Sequence, residues 1–266
     1  MKIAAAQISC VLGNIDANVR KMGDFSARAK DGGAELIVFP EMADTGYAMP
    51  VIQACATPWT EGAVPELRKI AKDLSIAIIC GVSERDGASI YNSQVFIDAN
   101  GGVLGGYRKT HLFTGTPIGE DKCFSPGHEL RSFPFGGFRL GLSICYDLRF
   151  PEVYRTLAIK EEANVFVLSS AWPFPRLGHF QVLAAARAIE NQSYMIVSNR
   201  VGTDDGMTCC GSSAIIDPYG VILASASTDQ EELIQAEISE EAIDSVRSKM
   251  AVFAQRRPDV YGKCCL

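Results

Sequence analysis

The chain has 266 residues, of which 47% are apolar and 21% charged, so it can form a packed core and is not intrinsically disordered. Its formal net charge of −6 at pH 7 offers no basic surface, which argues against nucleic acid or an anionic membrane as a partner. No apolar run approaches the roughly 20 residues of a membrane span and no signal peptide is evident, so we expect a cytoplasmic protein with one domain over residues 1–266.

Apolar runs of strand length alternate with helical patterns along the chain. Strands are predicted at residues 3–8, 34–39, 76–80, 91–97, 103–107, 138–144, 164–168, 194–198, 214–216, 221–224 and 233–236. Helices are predicted at residues 15–29, 63–74, 176–191 and 240–250, and a further helix is predicted to begin near residue 151. This alternation, together with two hairpins, indicates a mixed α/β sandwich rather than an open parallel sheet.

Nine cysteines are spread along the chain. Disulfide frameworks are typical of small secreted chains that lack a core, and no CxxC or Cys/His spacing indicates zinc. We therefore expect reduced thiols and no metal. The adjacent pairs at 209–210 and 264–265 leave open the hypothesis of a thiol redox sensor.

Three predicted strands lead into a residue that can take part in catalysis. Glu41 follows the strand at 34–39, Lys109 follows the strand at 103–107, and Cys145 follows the strand at 138–144. Because ligand sites in α/β sheets lie beyond the carboxyl ends of strands, these side chains can meet there.

The chemistry of the three groups is that of a thiol hydrolase. A thiolate held near an ammonium group is a nucleophile, a carboxylate can carry its proton to a departing amine, and the ammonium group can stabilise an oxyanion. Each residue alone also fits a structural role, as a buried thiol, a surface or capping acid, or a basic strand end. His111 as the base of a Cys–His dyad is a further alternative.

Three motifs surround these residues. Residues 39–42 read FPEM and are followed by TGY at 45–47, residues 107–113 read YRKTHLF, and residues 145–152 read CYDLRFPE. With RAIENQ at 187–192 and NRVG at 199–202, they resemble the nitrilase superfamily of carbon–nitrogen hydrolases over nearly the whole chain. The resemblance implies an α-β-β-α sandwich with mixed sheets, catalysis without a cofactor, and a triad of Glu41, Lys109 and Cys145.

A second glutamate is also implied by the resemblance. In this superfamily it lies after the lysine and before a Phe-x-Pro-Gly motif, and here Glu120 precedes FSPG at 124–127. The resemblance gives Glu120 a role in positioning the substrate or handling protons. The alternative is an exposed loop acid beside Asp121.

The motifs are most similar to those of omega-amidases, notably PEM at 40–42, TGYAM at 45–49 and AWP at 171–173. Omega-amidases release ammonia from monoamides of dicarboxylic acids, such as 2-oxoglutaramate. The substrate implied is a small amide that carries a carboxylate.

Five residues are predicted to bind this substrate. Arg149 and Arg176 can anchor its carboxylate because a guanidinium group matches the planar geometry of that group, although structural ion pairs are an equal alternative. Tyr47, Tyr146 and Trp172 are expected to form walls of the pocket, and a core role is the alternative for such aromatic residues.

Other functions stay open at this point. The same triad would serve an aliphatic amidase, a nitrilase or an N-carbamoyl amine hydrolase. A catalytically inactive member of the family that acts as a binding or scaffold protein is a hypothesis from another class. The resemblance also implies a homodimer or higher homo-oligomer.

Overall fold

Two six-stranded mixed sheets form the centre of the computed structural model, which describes residues 1–116 and 118–261. In chain order the strands are β1 (Lys2–Gln7), β2 (Leu36–Val38), β3 (Ala77–Asp86), β4 (Ser89–Ile97), β5 (Val103–Arg108), β6 (Ser132–Phe135), β7 (Phe138–Ile144), β8 (Val165–Ser170), β9 (Tyr194–Asn199), β10 (Thr203–Asp204), β11 (Met207–Thr208), β12 (Ala214–Ile216), β13 (Ile222–Ser225) and β14 (Glu232–Glu237). The helices are α1 (Ile15–Asp31), α2 (Met49–Cys55), α3 (Ala63–Leu74), α4 (Pro151–Lys160), α5 (Leu177–Asn191), α6 (Glu240–Lys249) and α7 (Pro258–Tyr261).

The two sheets have related strand orders. The first runs β14-β1-β2-β3-β4-β5 and the second runs β13-β12-β9-β8-β7-β6. In each sheet the three central neighbours are parallel, β1-β2-β3 and β7-β8-β9, and the outer pairings are antiparallel. β10 and β11 form a separate two-stranded hairpin.

Apolar residues on successive strand positions bury both faces of each sheet. On β2, Ile37 faces the layer formed by α1 and α3, whereas its neighbour Val38 faces the second sheet. On β8, Val167 lies between the sheets and Phe166 packs against residues of α4 and α5. Because side chains alternate along a strand, each strand contributes to two cores. The layers are helix, sheet, sheet and helix, which confirms the predicted α-β-β-α sandwich.

Local sequence signals explain the helix boundaries. The side chain of Asn14 accepts a hydrogen bond from the N–H of Ala17 (3.0 Å), which satisfies a donor in the first turn of α1. Gly33 follows the end of α1 with a φ of 84°, a conformation that favours glycine. α4 begins at Pro151, whose fixed φ suits the first helical position.

Several elements differ from the sequence prediction. α2 and β6 were not predicted, because α2 buries only Ile52 and lacks an apolar stripe, while β6 is an edge strand that contains Pro134. β3 and β4 extend to a tight turn after Asp86, although their outer residues are polar. The strand predicted at 221–224 lies one residue later.

None of the helices within residues 1–116 and 118–261 is long and apolar enough to cross a membrane.

Gly81 of β3 lies directly behind the backbone that carries Glu41. A Cβ atom at position 81 would lie 2.4 Å from the carbonyl oxygen of Pro40 and 2.6 Å from the Cα of Glu41. We expect Gly81→Ala to displace that segment and to lower the free energy of unfolding by about 1–3 kcal/mol in urea titrations. Gly178→Ala is the control, because Gly178 is exposed in α5 with no atom within 4 Å of a Cβ, so stability should stay equal or rise. Equal stability of the two variants would contradict this packing argument.

Candidate active site

Glu41, Lys109 and Cys145 follow the carboxyl ends of β2, β5 and β7. Lys109 and Cys145 come directly after their strands, whereas Glu41 is separated from β2 by Phe39 and Pro40. Lys109 contacts Glu41, and Lys109 and Cys145 line the same cavity. The sandwich therefore brings together the three residues that the motifs indicated.

Two buried carboxylates share one ammonium group. The Nζ of Lys109 lies 3.0 Å from Oε1 of Glu41 and 2.7 Å from Oε1 of Glu120. All three side chains are at most 1% exposed. Glu120 is therefore not an exposed loop acid, and it stands directly beside the lysine.

Further donors complete the hydrogen bonding of these carboxylates. The Nδ2 of Asn92 donates to Oε1 of Glu41 (2.6 Å), and the backbone N–H of Ala171 donates to Oε2 of Glu41 (2.8 Å). Glu120 accepts from the hydroxyl of Tyr47 (2.5 Å) and, through Oε2, from the N–H of Phe113 (2.6 Å). Tyr47 thus has a polar role in addition to its place in the pocket wall.

The charge balance of this cluster shifts its proton affinities. Burial raises the pKa of Glu41, Lys109 lowers it, and Glu120 raises it again, with a net increase. Burial lowers the pKa of Lys109, but Glu120 and Glu41 outweigh that effect and hold the pKa above its usual range. Lys109 is therefore cationic at neutral pH.

Cys145 occupies a sharp turn. It begins a 3-10 turn over Cys145–Arg149 with a φ of 44°, in the left-handed region that residues other than glycine rarely adopt. Burial raises the pKa of its thiol well above the usual value, Glu41 raises it further, and Lys109 lowers it. At rest the thiol therefore keeps its proton, because burial and two carboxylates outweigh one lysine. The thiol must lose its proton during the reaction, with Glu41 as the nearby base.

Asp147 connects the turn of Cys145 to the segment of Lys109. Its carboxylate accepts from the N–H of Ile144 (2.9 Å), the hydroxyl of Tyr107 (2.8 Å) and the hydroxyl of Thr110 (3.2 Å). The Nδ1 of His111 also lies 2.9 Å from Asp147. Within the described residues no hydrogen bond joins His111 to Cys145, so a Cys–His dyad gains no support.

The cavity beside Cys145 is small and lies next to a larger one. The inner cavity has a volume of about 20 Å³, and all five residues predicted to bind substrate line it. Its full lining consists of Tyr47, Lys109, Phe113, Ile118, Cys145, Tyr146, Arg149, Ala171, Trp172, Pro173 and Arg176. The outer cavity, of about 890 Å³, is largely apolar and shares Tyr47, Phe113 and Arg176 with the inner one. The two cavities are therefore adjacent.

Two arginines face the inner cavity without an acidic partner. The guanidinium group of Arg149 lies 4.7 Å from the ring centre of Trp172 and 5.9 Å from that of Tyr146. That of Arg176 lies 5.3 Å from the ring of Phe113. Within residues 1–116 and 118–261 neither arginine forms an ion pair, so the structural alternative for them gains no support.

Asn92 and Asp147 act in the site although the sequence analysis assigned them no role. Asn92 belongs to the polar run YNSQ at 91–94, which lies inside a predicted strand and is buried from position 92 onward. Polar residues in the interior of a buried strand must find partners, and this was the available signal.

The remaining cysteines give little support to a redox sensor. Burial raises the pKa of Cys209 to about 12 and that of Cys210 to about 11, which disfavours the reactive thiolate. The pair at 264–265 lies outside the described residues. Within the described ranges, no three His, Cys, Asp or Glu side chains converge as a metal site requires.

The charge balance predicts how the reactivity of Cys145 depends on Glu41. Glu41→Gln removes a negative charge beside the thiol, so the midpoint of iodoacetamide alkylation of Cys145 should move to lower pH by about one unit or more. Peptide mass spectrometry across a pH series measures this midpoint. Glu129→Gln, which changes an exposed glutamate, should leave it unchanged. A midpoint that rises in Glu41→Gln would contradict the electrostatics described above.

Comparison with known proteins agrees with the geometry. Residues 2–248 match the sequence profile of the carbon–nitrogen hydrolase family. A 2-oxoglutaramate amidase of Bacillus subtilis is 34% identical over 97% of this chain and 98% of its own length. A nitrilase of Pyrococcus abyssi is 33% identical over 98% of this chain and 99% of its own length.

A solved structure shows the same fold. It is a glutamate-to-glutamine variant of the amidase from Nesterenkonia sp. AN1, with acrylamide joined to its active-site cysteine by Michael addition. It is 26% identical, covers 94% of this chain and 97% of that chain, and has a TM-score of 0.82. By its motifs, its fold and these likenesses, the chain belongs to the carbon–nitrogen hydrolase family of the nitrilase superfamily.

Proposed function

We propose that the protein is an amidase of the omega-amidase type, which releases ammonia from a small amide that carries a carboxylate, such as 2-oxoglutaramate. The main observation in support is the buried contact between Glu41 and Lys109, with Lys109 and Cys145 lining one small cavity. The similarity to the 2-oxoglutaramate amidase of Bacillus subtilis supports this substrate class.

Acylation begins with proton transfer from the thiol of Cys145 to Glu41. The sulfur forms a bond to the amide carbon, and the negative charge that develops on the amide oxygen is stabilised by Lys109 and the backbone N–H of Tyr146. Glu41 then gives its proton to the amide nitrogen, the C–N bond breaks, and ammonia leaves. The acyl group stays on Cys145 as a thioester.

Deacylation uses the same groups with water as the nucleophile. Glu41 takes a proton from the water as its oxygen attacks the thioester carbon. The C–S bond then breaks, the acid product leaves, and Glu41 returns the proton to the sulfur. Glu120 holds Lys109 in place and keeps it cationic throughout.

The hydrogen bonds of Glu41 suit it to carry this proton. Its Oε1 accepts from both Lys109 and Asn92, whereas its Oε2 accepts only from the N–H of Ala171 among the described residues. A carboxylate oxygen can accept two hydrogen bonds, so Oε2 has room for the thiol proton.

Arg149 is the proposed anchor for the substrate carboxylate. It lines the inner cavity beside Cys145 and is stacked near Trp172 and Tyr146 rather than paired with an acid. A carboxylate near its guanidinium group would gain charge-assisted hydrogen bonds, often two in parallel. Arg176 lies where the inner and outer cavities join and is the second candidate.

The protein is further proposed to be cytoplasmic. All seven cysteines within the described residues are free thiols, which suits a reducing compartment. The homodimer or higher homo-oligomer stays a prediction from the family resemblance.

Replacement of the nucleophile tests the function. We expect Cys145→Ala to abolish ammonia release from 2-oxoglutaramate while the circular dichroism spectrum and melting temperature stay close to those of the wild type. A variant that keeps more than a few per cent of the activity would remove Cys145 from its role.

A panel of substrates separates the members of this family. The similarity to a nitrilase favours nitrile hydrolysis as the second candidate. Ammonia release from 2-oxoglutaramate, a simple nitrile and an N-carbamoyl amine should be compared, with 2-oxoglutaramate expected to be fastest. Failure of all three would favour the inactive binding or scaffold protein.

Replacement of Arg149 tests the carboxylate anchor. Arg149→Met should raise KM for 2-oxoglutaramate by about 10–100-fold, since a hydrogen bond between charged groups contributes roughly 1.5–3 kcal/mol. With butyramide, which has no carboxylate, the same variant should change KM little. Arg176→Met is the matched control. A larger effect of that variant would assign the anchor to Arg176 instead.

A further inference from the structure

Ser170 lies beside Cys145 at the ends of two neighbouring strands. β7 and β8 are parallel with Ile144 paired to Ser169, so the next residues along the chain are neighbours. Cys145 directly follows β7, and Ser170 is the last residue of β8. Ser170 is completely buried. Its Oγ has no hydrogen-bond partner of ordinary geometry among the described residues.

This serine differs from the other buried serines of β7, β8 and β9. The hydroxyls of Ser143, Ser169 and Ser198 each donate to a backbone carbonyl, of Val167 (3.1 Å), Phe39 (2.7 Å) and Ala6 (2.6 Å) respectively. A buried hydroxyl without a partner is destabilising, because it has lost its hydrogen bonds to water. The hydroxyl of Ser170 therefore needs an explanation that packing does not provide.

The backbone around Ser170 is firmly held. Its carbonyl oxygen accepts from the N–H of Arg200 (3.1 Å), and the N–H of Ala171 donates to the base Glu41 (2.8 Å). The N–H of Trp172 donates to the side chain of Asn199 (2.8 Å). The hydroxyl is therefore kept in place next to the reacting groups.

We propose that Ser170 is a further catalytic residue, whose hydroxyl donates a hydrogen bond to the sulfur of Cys145 while that sulfur is negatively charged. The inference rests on the proposed function, in which Cys145 is the nucleophile. A neutral thiol is a weak acceptor and a thiolate is a strong one, so the bond strengthens when Glu41 takes the proton.

The charges around Cys145 explain why an additional hydrogen-bond donor would stabilise its thiolate. Among the described residues, Lys109 is the one cation of the buried cluster, and it already donates to both Glu41 and Glu120. The sulfur therefore becomes negative beside two carboxylates, with an ammonium group that is already engaged. In agreement with this placement, Ser170 lowers the pKa of Cys145, although burial and Glu41 outweigh it.

The hydroxyl is not consumed in the reaction. The proton moves from Sγ of Cys145 to Glu41, and Ser170 keeps its own. When the C–S bond forms, the negative charge passes to the amide oxygen and the hydrogen bond to sulfur weakens. The same bond forms again when the thioester breaks.

Ser170→Ala tests this role. The midpoint of iodoacetamide alkylation of Cys145 should move up by about one pH unit, which corresponds to about a tenfold lower alkylation rate at neutral pH. Turnover of 2-oxoglutaramate should fall by a similar factor. The melting temperature should be unchanged or slightly higher, because the variant removes a hydroxyl that has no partner.

Ser143→Ala is the matched control. It removes a buried serine hydroxyl from the strand that leads into Cys145, but this hydroxyl is already hydrogen-bonded to a carbonyl. We expect a lower melting temperature with an unchanged alkylation midpoint. A purely structural role of Ser170 would give the same pattern in both variants.

The outcomes separate the two proposals. If Ser170→Ala has the same alkylation midpoint as the wild type and Cys145→Ala is inactive, the role of Ser170 is contradicted and the proposed function is not. Retained turnover in Cys145→Ala contradicts the proposed function and the role of Ser170 together. An upward shift in Ser170→Ala with no shift in Ser143→Ala supports the inference.

Discussion

The structure depends on one buried ammonium group that is shared by two buried carboxylates. Lys109, Glu41 and Glu120 are removed from water, so their lost hydration must be replaced by hydrogen bonds and ion pairing. The donors come from distant parts of the chain, including Asn92 on β4 and the N–H of Ala171 after β8. The arrangement exists only when both sheets are assembled, so the packing of the sandwich and the formation of the site are one event.

This charge balance also determines how the thiol can act. A single lysine beside a cysteine would favour a resting thiolate, but here burial and the charge of Glu41 outweigh Lys109, so the pKa of the thiol is raised and the thiol stays protonated. Proton transfer and nucleophilic attack are then linked through Glu41. A protonated thiol is a weaker nucleophile than a thiolate, so the reactivity of Cys145 depends on a base that takes its proton.

The sequence predicted most of the fold because apolar periodicity and helix caps are local signals. α1, with its cap Asn14, and the long α5 were predicted to within about two residues, whereas α2 and the edge strand β6 lack such a pattern. In the site, motifs indicated Glu41, Lys109, Cys145 and Glu120. They did not indicate Asn92 or Ser170, because a buried asparagine or serine acquires a role only through partners that are far away in the sequence.

The arginines of the cavity show why a pocket can be more informative than a catalytic triad. A triad specifies the reaction, but it is compatible with amides, nitriles and carbamoyl compounds. A half-buried cation with no acid beside it is an incomplete ion pair. The chain has 31 acidic residues, any of which could in principle have neutralised this cation. Arg149 is instead stacked near two aromatic rings beside the cavity and pairs with no acid among the described residues. In the proposed function, the substrate completes the pair, because a carboxylate at the far end of a short acyl chain supplies that charge.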